Sequence, residues 1–501
     1  MDAAEDPHYD RRWLILGVIG IAQLMVVLDM TIVNIALPSI QNDLGFSDEQ
    51  RQWLITAYAL AFGSLLLLGG RISDLFGRKR AFVTGLLGFA VASAIGGAAQ
   101  SFGVLVGARA LQGVFGALLA PAALSLLATI FTTPSERGKA FGVFGAIAGA
   151  GGAVGLLLGG ALTELDWRWC LFVNLLFAIP AAIAATGLLH RIPSPNRPKL
   201  DLPGTAIATT GLLALVYGFA RAESSGWTDP VTLGLLAGSA VLLAGFVLLE
   251  RRVANPLLPL RIVLDRNRGG GYLAMGMAAV GVFGVFIFLT YYLQQTLGFS
   301  PIETGVAFMP MNLAIIITAI TVNTRLLART GPRPLIPTGM VLASVAMLLL
   351  TRTGVDSSYA SHVLPSLIML GVGFGLTFAP VFSGATEGVE PRDSGIASAM
   401  VNTSQQVGGA VGTALLSTLV VSATTSFAEG KPQSAAVMAE AAVHGYHVAF
   451  WVSAGIFALA AVVTGSLLRS GPPLSTLHAR ELAREADERE AEEREGVLVA
   501  G

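Results

Sequence analysis

The sequence predicts an all-α membrane protein with fourteen helical spans and both termini in the cytoplasm. Three observations carry that prediction. The 501-residue chain is 53% hydrophobic and 13% charged, whereas a soluble domain carries about 25% charged residues. Its apolar residues fall in runs of about 20, the length that crosses ~30 Å of hydrocarbon as a helix. Alternating strand patterns are absent, which argues against a β-barrel. The cations, finally, sort by side. With the N-terminus inside, 25 of the 31 Lys and Arg fall in cytoplasmic segments, 5 fall outside, and Arg109 stands alone within a span. Cytoplasmic loops carry an excess of Lys and Arg, and a miscounted helix would scramble the asymmetry.

Residues 1–12 read as a polar cytoplasmic tail, and the first apolar run continues too long for a cleavable signal peptide, so it stays as a span. The spans fall at 13–37, 52–70, 81–99, 103–130, 140–162, 168–188, 204–221, 231–249, 270–293, 304–324, 334–351, 362–386, 395–421 and 447–468. The two halves echo each other. Arg71, Gly77, Lys79, Thr84 and Gly85 recur as Arg325, Gly331, Arg333, Thr338 and Gly339, each displaced by 254 positions, and Gly155 recurs as Gly409. A duplicated six-helix unit leaves this trace. It divides the chain into a first six-helix bundle (13–190), a linker with two extra spans (191–268), a second six-helix bundle (269–469) and a charged cytoplasmic tail (470–501). The stretch from Arg480 to Glu495 reads as a solvated helix, with a docking site for a partner as the alternative.

Several function classes are excluded. A net charge of -1 gives no reason to expect nucleic acid. The single cysteine, Cys170, cannot form an internal disulfide or a metal cluster, and His444 with His447 are too few for a metal site. No GxxxxGK[ST] loop is present to hold ATP. No nucleophile–base pair stands out, so no enzyme is expected.

Against this background Asp29 is the anomaly, because it interrupts the apolar run LMVVLDMTIVNIALP (24–38). A charge at mid-membrane costs about 2.5–3.5 kcal/mol on insertion scales. Asp29 must therefore face a cavity, pair with a cation or carry a proton. Arg109 is the candidate partner. At ~1.5 Å per residue, Asp29 lies ~13 Å below the outer end of its helix and Arg109 ~9 Å below the outer end of its own. Two readings are open: a static ion pair that fixes helix packing, or a carboxyl whose charge switches. Burial opposes a carboxylate's charge and a nearby cation favours it, and the balance of the two is what a proton switch requires.

Other stretches carry open alternatives. In GGRISDLFGRKR (69–80), Gly69 and Gly70 permit close helix approach and Gly77 permits a tight turn. Asp74 either binds the positive N-terminal end of a neighbouring helix or is merely solvated. Phe288, Tyr291, Tyr292 and Gln295, at i, i+3, i+4 and i+7, would share one helical face. That face is an interfacial aromatic belt or the wall of a substrate cavity. Asn34, Tyr58, Gln112, Asn312, Asn402 and Gln405 either join that cavity or bond between helices. The fifth span, GVFGAIAGAGGAVGLLLGGAL (142–162), is glycine-rich at i, i+4 spacing, which suits backbone-to-backbone packing.

The loop at 69–80 resembles the signature loop of the major facilitator superfamily. LDMTIVNIALP (28–38) resembles the first-helix motif of that superfamily's fourteen-span drug:proton antiporters of the QacA/EmrB type. RALQG (109–113), DWRWCLFVN (166–174), YYLQQTLGFSPIETG (291–305) and SGIASAMVNTSQQVGGAVG (394–412) agree. The resemblance implies the major facilitator fold, two six-helix bundles with the two extra helices between them. It also implies proton-coupled export of small lipophilic or cationic drug-like compounds across the cytoplasmic membrane by alternating access. No cofactor is implied beyond the proton gradient, and the partners are a small-molecule cargo, protons and lipid, with the chain acting as a monomer. By resemblance, Asp29 is the proton site and Arg109 assists it. Gly70, Asp74, Gly77, Arg78 and Lys79 form a conformational latch, with Leu75 standing where many members have arginine. Gly145, Gly149, Gly151, Gly155, Gly159 and Gly160 form the antiporter motif that seals the two halves, with Leu156 in place of its usual proline. No second acid lies deep in the later spans, which favours neutral or singly charged cargo. The rivals are a proton symporter or facilitator for a nutrient or metabolite, and a membrane sensor that transports nothing.

Overall fold

The computed structural model describes residues 11–471 apart from 47, 132, 190–200, 254–255, 391–392 and 433. The expected tail helix at 480–495 and most of the linker at 190–204 lie outside the described residues. Within them the chain is helical throughout, with no strand. The first six long helices are α1 (Arg12–Leu44), α2 (Asp48–Phe76), α3 (Arg78–Gly97), α4 (Phe102–Ile130), α5 (Pro134–Leu165) and α6 (Trp169–Leu188). A hairpin comes next, α7 (Leu202–Ser225) and α8 (Pro230–Glu250), then the short α9 (Leu260–Val263). The remainder comprises α10 (Arg266–Gly284), α11 (Pro301–Ala307), α12 (Met309–Thr321), α13 (Leu327–Thr330), α14 (Pro332–Leu350), α15 (Leu364–Ala385), α16 (Ser394–Ala428) and α17 (Ala435–Leu467). Among the described residues, thirteen helical stretches are long and apolar enough to cross a membrane. The 32-residue α5 is a further long helix packed among them.

Several helices outrun the apolar stretches that announced them. The run at 447–468 is the last part of a 33-residue helix that begins at Ala435, and the run at 395–421 continues to Ala428. Apolar length reports how much of a helix lies in hydrocarbon, while the backbone bonding that makes the helix continues into water. Two π-turns, Val285–Leu289 and Tyr292–Thr296, extend α10, and a third, Val322–Leu326, joins α12 to α13. Each inserts a residue into the turn and rotates the helix beyond it.

In lipid no hydrophobic drive pulls helices together, so close packing of small residues must supply the attraction. The α2–α4 contact illustrates this: a Cβ added at Gly113 would lie 2.5 Å from the Tyr58 carbonyl oxygen and 2.8 Å from the Ala61 Cβ. Through such contacts α1 packs on α5 and α6, and α4 on α2 and α3. In the later part, α10 packs on α16 and α17, α14 on α15 and α17, and α12 on α15. The two groups meet along two seams, α2 against α16 and α5 against α12.

The α7–α8 hairpin straddles the first seam. Helix α7 touches both α2 and α16, while α8 rests on α7. The Tyr217 ring lies 5.8 Å from that of Trp53, and the Trp227 indole donates to Thr418 Oγ1 at 3.0 Å. The hairpin turn is tied by Asp229, which caps α8 through Thr232 N at 2.9 Å and pairs with Arg221 at 2.8 Å. Those donors, Arg221 first, draw the Asp229 carboxyl down to about 2.

Gly113→Leu is expected to lower the thermal midpoint of the purified protein, since overpacking costs about 1–3 kcal/mol. Gly107→Leu, at an exposed site with nothing within 4 Å, should leave it unchanged.

Candidate functional site

Asp29 lies in the middle of α1 and is 0% exposed. Its carboxylate accepts three hydrogen bonds from two neighbouring helices. Arg109 Nη1 of α4 donates to Oδ2 at 2.6 Å, Gln112 Nε2 of α4 to Oδ1 at 2.9 Å, and Asn174 Nδ2 of α6 to Oδ1 at 2.7 Å. Helical spacing puts Arg109 and Gln112 on one face, and Arg109 Nη1 also donates to Gln112 Oε1 at 2.8 Å. Arg109 Nε reaches the Leu54 carbonyl of α2 at 3.3 Å, and its guanidinium lies 4.6 Å from the centre of the Tyr58 ring. Gln112 Nε2 also donates to Ser93 Oγ of α3 at 2.8 Å. A buried ion pair survives only when its remaining lone pairs and protons are satisfied, and this cluster supplies those partners from five helices.

A second cluster joins the two groups of helices. Asp74, near the end of α2, accepts from Gly395 N at 2.9 Å and Ile396 N at 3.2 Å, the first N–H groups of the 35-residue α16. The helix dipole and unsatisfied N–H groups make that end a ready carboxylate site. The approach needs glycine on both sides: a Cβ on Gly70 would lie 2.7 Å from the Gly395 carbonyl oxygen, and one on Gly395 would lie 2.5 Å from that of Gly70. Gly77, at φ 96°, makes the turn from α2 into α3 that only glycine adopts readily. Arg78 then donates to Thr129 Oγ1 at 2.7 Å and across the seam to Ser394 Oγ at 2.8 Å. Arg71 stands 3.6 Å from Asp393, which also pairs with Arg261. Arg137 of α5 donates to Thr386 Oγ1 at 2.7 Å.

The pattern of the Major Facilitator Superfamily matches residues 19–413. The chain belongs to the major facilitator superfamily. It is a multi-pass membrane transporter and not an enzyme. It is 52% identical to the puromycin resistance protein pur8 of Streptomyces alboniger over 92% of each chain. It is 38% identical to the cephamycin export protein CmcT of Amycolatopsis lactamdurans, over 92% of this chain and 94% of that one. Its identity to the multidrug efflux pump LfrA of Mycolicibacterium smegmatis is 31%, over 82% of this chain and 81% of that one. In fold it resembles the proton:xylose symporter XylE, with a TM-score of 0.64 at 14% identity, over 94% of this chain and 99% of that one.

Within this transporter the residues singled out by sequence divide into several sets. Asp29 and Arg109 meet as their depths suggested. Of the residues read as joining the cavity or bonding between helices, Gln112 bonds between helices and Tyr58 stacks on Arg109 within the Asp29 cluster, and both are nearly fully buried. Tyr291 and Tyr292 do not share a face: Tyr291 is 46% exposed, while Tyr292 is buried and donates to the Gly354 carbonyl at 2.8 Å. Phe288 and Gln295 keep a common side, since both meet Tyr446. Asn312 turns its amide to the Phe308 carbonyl at 2.9 Å and Asn402 to that of Ser398 at 3.3 Å, each within its own helix. Gln405 is half-buried on α16. The side chain of Asn34 lies outside the described residues, as do Gly149 and the side chain of Leu156.

Two further expectations need correction. Lys79 does not reach the second half; it donates to the Thr186 carbonyl at 2.7 Å and to that of Leu189, holding the end of α6. The fifth-helix glycines mostly bind α5 to α1 within one half. Gly151 faces Val27, Gly155 faces Thr31 and Gly159 faces Ile32. Among the described glycines of that set, Gly145 faces across the seam, where an added Cβ would lie 3.7 Å from the Ala379 Cα of α15, and a Cβ on Gly160 would meet nothing within 4 Å. Glycine spacing marks a thin helix face but does not say which neighbour fills it. Asn174, Ser93, Arg71 and Asp393 were missed as site residues. For Asn174 the signal was present, a lone amide closing DWRWCLFVN and followed by LLFAIP.

Two measurements test these clusters. Arg109→Ala leaves a buried carboxylate without its cation and should destabilise the protein by about 3–5 kcal/mol; Asp29→Asn with Arg109→Gln should recover much of the lost thermal midpoint. Asp74→Asn removes charge-assisted bonds of about 1.5–3 kcal/mol, which should favour separation of the two halves at this end about tenfold or more. Spin labels at positions 80 and 469, both exposed, would report the longer distance, and the buried Cys170 would not take a label.

Proposed function

We propose that this transporter exports small, lipophilic or singly charged drug-like compounds across the cytoplasmic membrane in exchange for protons. Fourteen spans, both termini in the cytoplasm and action as a monomer complete the reading. The observation that carries it is the Asp29 cluster: one carboxylate, wholly buried, whose charge holds Arg109 and ties α1 to α4 and α6. Export is supported by relatives named for drug resistance and export.

The cycle derives from charge. In the ionised state Asp29 holds Arg109 and the cluster around it is tight. When the outer side is open, a proton on Asp29 removes the attraction, the helices around it loosen and cargo leaves. The halves then rock, the Asp74 latch parts, and Asp29 gives its proton to the cytoplasm as new cargo binds. A proton crossing the membrane gains ~2.3 kcal/mol per 100 mV, and ATP is not required. Closure of the Asp74, Arg78 and Arg71 contacts on the end that carries the basic loop fits the state that faces outward.

In proteoliposomes of known orientation, Asp29→Asn is expected to fold but to lose gradient-driven efflux. Efflux at the wild-type rate would refute the proton role. Cargo moving inward with protons in the wild type would favour the symporter instead.

A further inference from the structure

Two buried polar atoms of the Asp29 cluster lack a hydrogen-bond partner among the described residues, the Tyr58 hydroxyl and Asn174 Oδ1, and the second belongs to a side chain that bonds the carboxylate itself. Asn174 is 1% exposed, and while its Nδ2 donates to Asp29, its Oδ1 is buried with no hydrogen-bond partner among the described residues. Buried polar atoms without partners are rare and call for an explanation. The other donors to Asp29 have no such spare acceptor. Arg109 can only donate. Gln112 is committed at both ends, its Oε1 to Arg109 and its Nε2 to Asp29 and Ser93.

The chemistry of Asp29 supplies the explanation. A carboxylate only accepts hydrogen bonds, whereas a protonated carboxyl must donate one. The groups around it are Arg109 and Gln112 from α4, Asn174 from α6, and Tyr58 from α2 behind Arg109. Arg109 and Tyr58 are the charged and titratable members of that set, and Tyr58 presents its ring to Arg109. Among the three side chains that hydrogen-bond the carboxylate, Asn174 Oδ1 is thus the vacant acceptor, and the Tyr58 hydroxyl makes no bond to Asp29.

We propose that Asn174 is a positioning residue that serves both charge states of Asp29 by turning its amide end for end. With Asp29 ionised, Nδ2 donates to Oδ1 of the carboxylate. When a proton binds that oxygen, the amide rotates about its last side-chain bond, and its carbonyl accepts the new O–H. One N–H···O bond is exchanged for one O–H···O bond, and no charge moves other than the proton. The contact between α1 and α6 survives protonation while the pull on Arg109 in α4 is lost. Protonation would then release α4 selectively, and α1 and α6 would stay joined.

This inference rests on the proton role of Asp29, and infrared difference spectroscopy separates the two. The purified transporter in lipid would be compared between neutral and acidic pH. The wild type should gain a carboxylic-acid carbonyl band that Asp29→Asn lacks. It should also show a change in a side-chain amide band that Asn174→Leu lacks. In Asn174→Leu the acid band should move to higher frequency, because its O–H has lost its acceptor. Asn174→Ser, which can donate and accept, should bring the band back toward the wild-type position and restore gradient-driven efflux that Asn174→Leu lowers about tenfold. An acid band at the same frequency in wild type and Asn174→Leu would overturn the inference while leaving the proton role intact. Absence of any Asp29 band in the wild type would overturn both.

Discussion

A single carboxylate sealed inside a membrane protein is the constraint on which this architecture depends. Asp29 has no exposure to solvent, so its charge is tolerable only while Arg109, Gln112 and Asn174 surround it. Those three residues reach it from helices separated by as much as 145 positions in sequence. The cluster therefore fixes how α1, α4 and α6 sit, and α2 and α3 are drawn in through Leu54, Tyr58 and Ser93. Every bond in it lies within the first six helices. A change of charge at Asp29 would be felt first as a change in the shape of that half.

The Asp74 cluster has the complementary placement. Its bonds run between halves, from the end of α2 to the start of α16. Local glycines let the backbones touch, Arg78 and Arg71 add bonds across the same seam, and Arg137 of α5 bonds Thr386 beyond α15. An electrostatic anchor of this kind favours one relative position of two rigid bodies and vanishes at a small separation, since hydrogen bonds weaken steeply with distance. One cluster thus governs internal shape and the other governs docking. The route between them runs along α2 and α4, which both contribute to each: Tyr58 and Asp74 lie on α2, Arg109 and Thr129 on α4.

Much of this was legible in the sequence where one-dimensional regularities govern. Apolar run length and cation placement announced the long helices. Helical rise predicted that Asp29 and Arg109 lie at matching depth, and the rule that carboxylates favour helix N-termini anticipated Asp74. The features that stayed hidden depend on rotation about helix axes. Gln112 and Asn312 are both amides in apolar helices, yet one completes the Asp29 cluster and the other folds back on Phe308. Nothing in their local sequence distinguishes them, because the neighbour is set by packing. Tyr291 and Tyr292 make the same point, since neighbours in sequence end up one exposed and one buried. Gly151, Gly155 and Gly159 were visible as a thin face, but only the fold assigns that face to α1.

In the proposed cycle, a proton on Asp29 and a bound cargo exclude one another. Linkage makes this a binding experiment: if a proton weakens cargo binding, cargo must expel a proton, by the same coupling free energy. Purified transporter in weakly buffered solution, mixed with a compound it resists, can be monitored with a pH-indicator dye. Proton release is expected from the wild type on binding and none from Asp29→Asn. Equal release from both proteins, or none from a wild type that demonstrably binds the compound, would contradict the exchange.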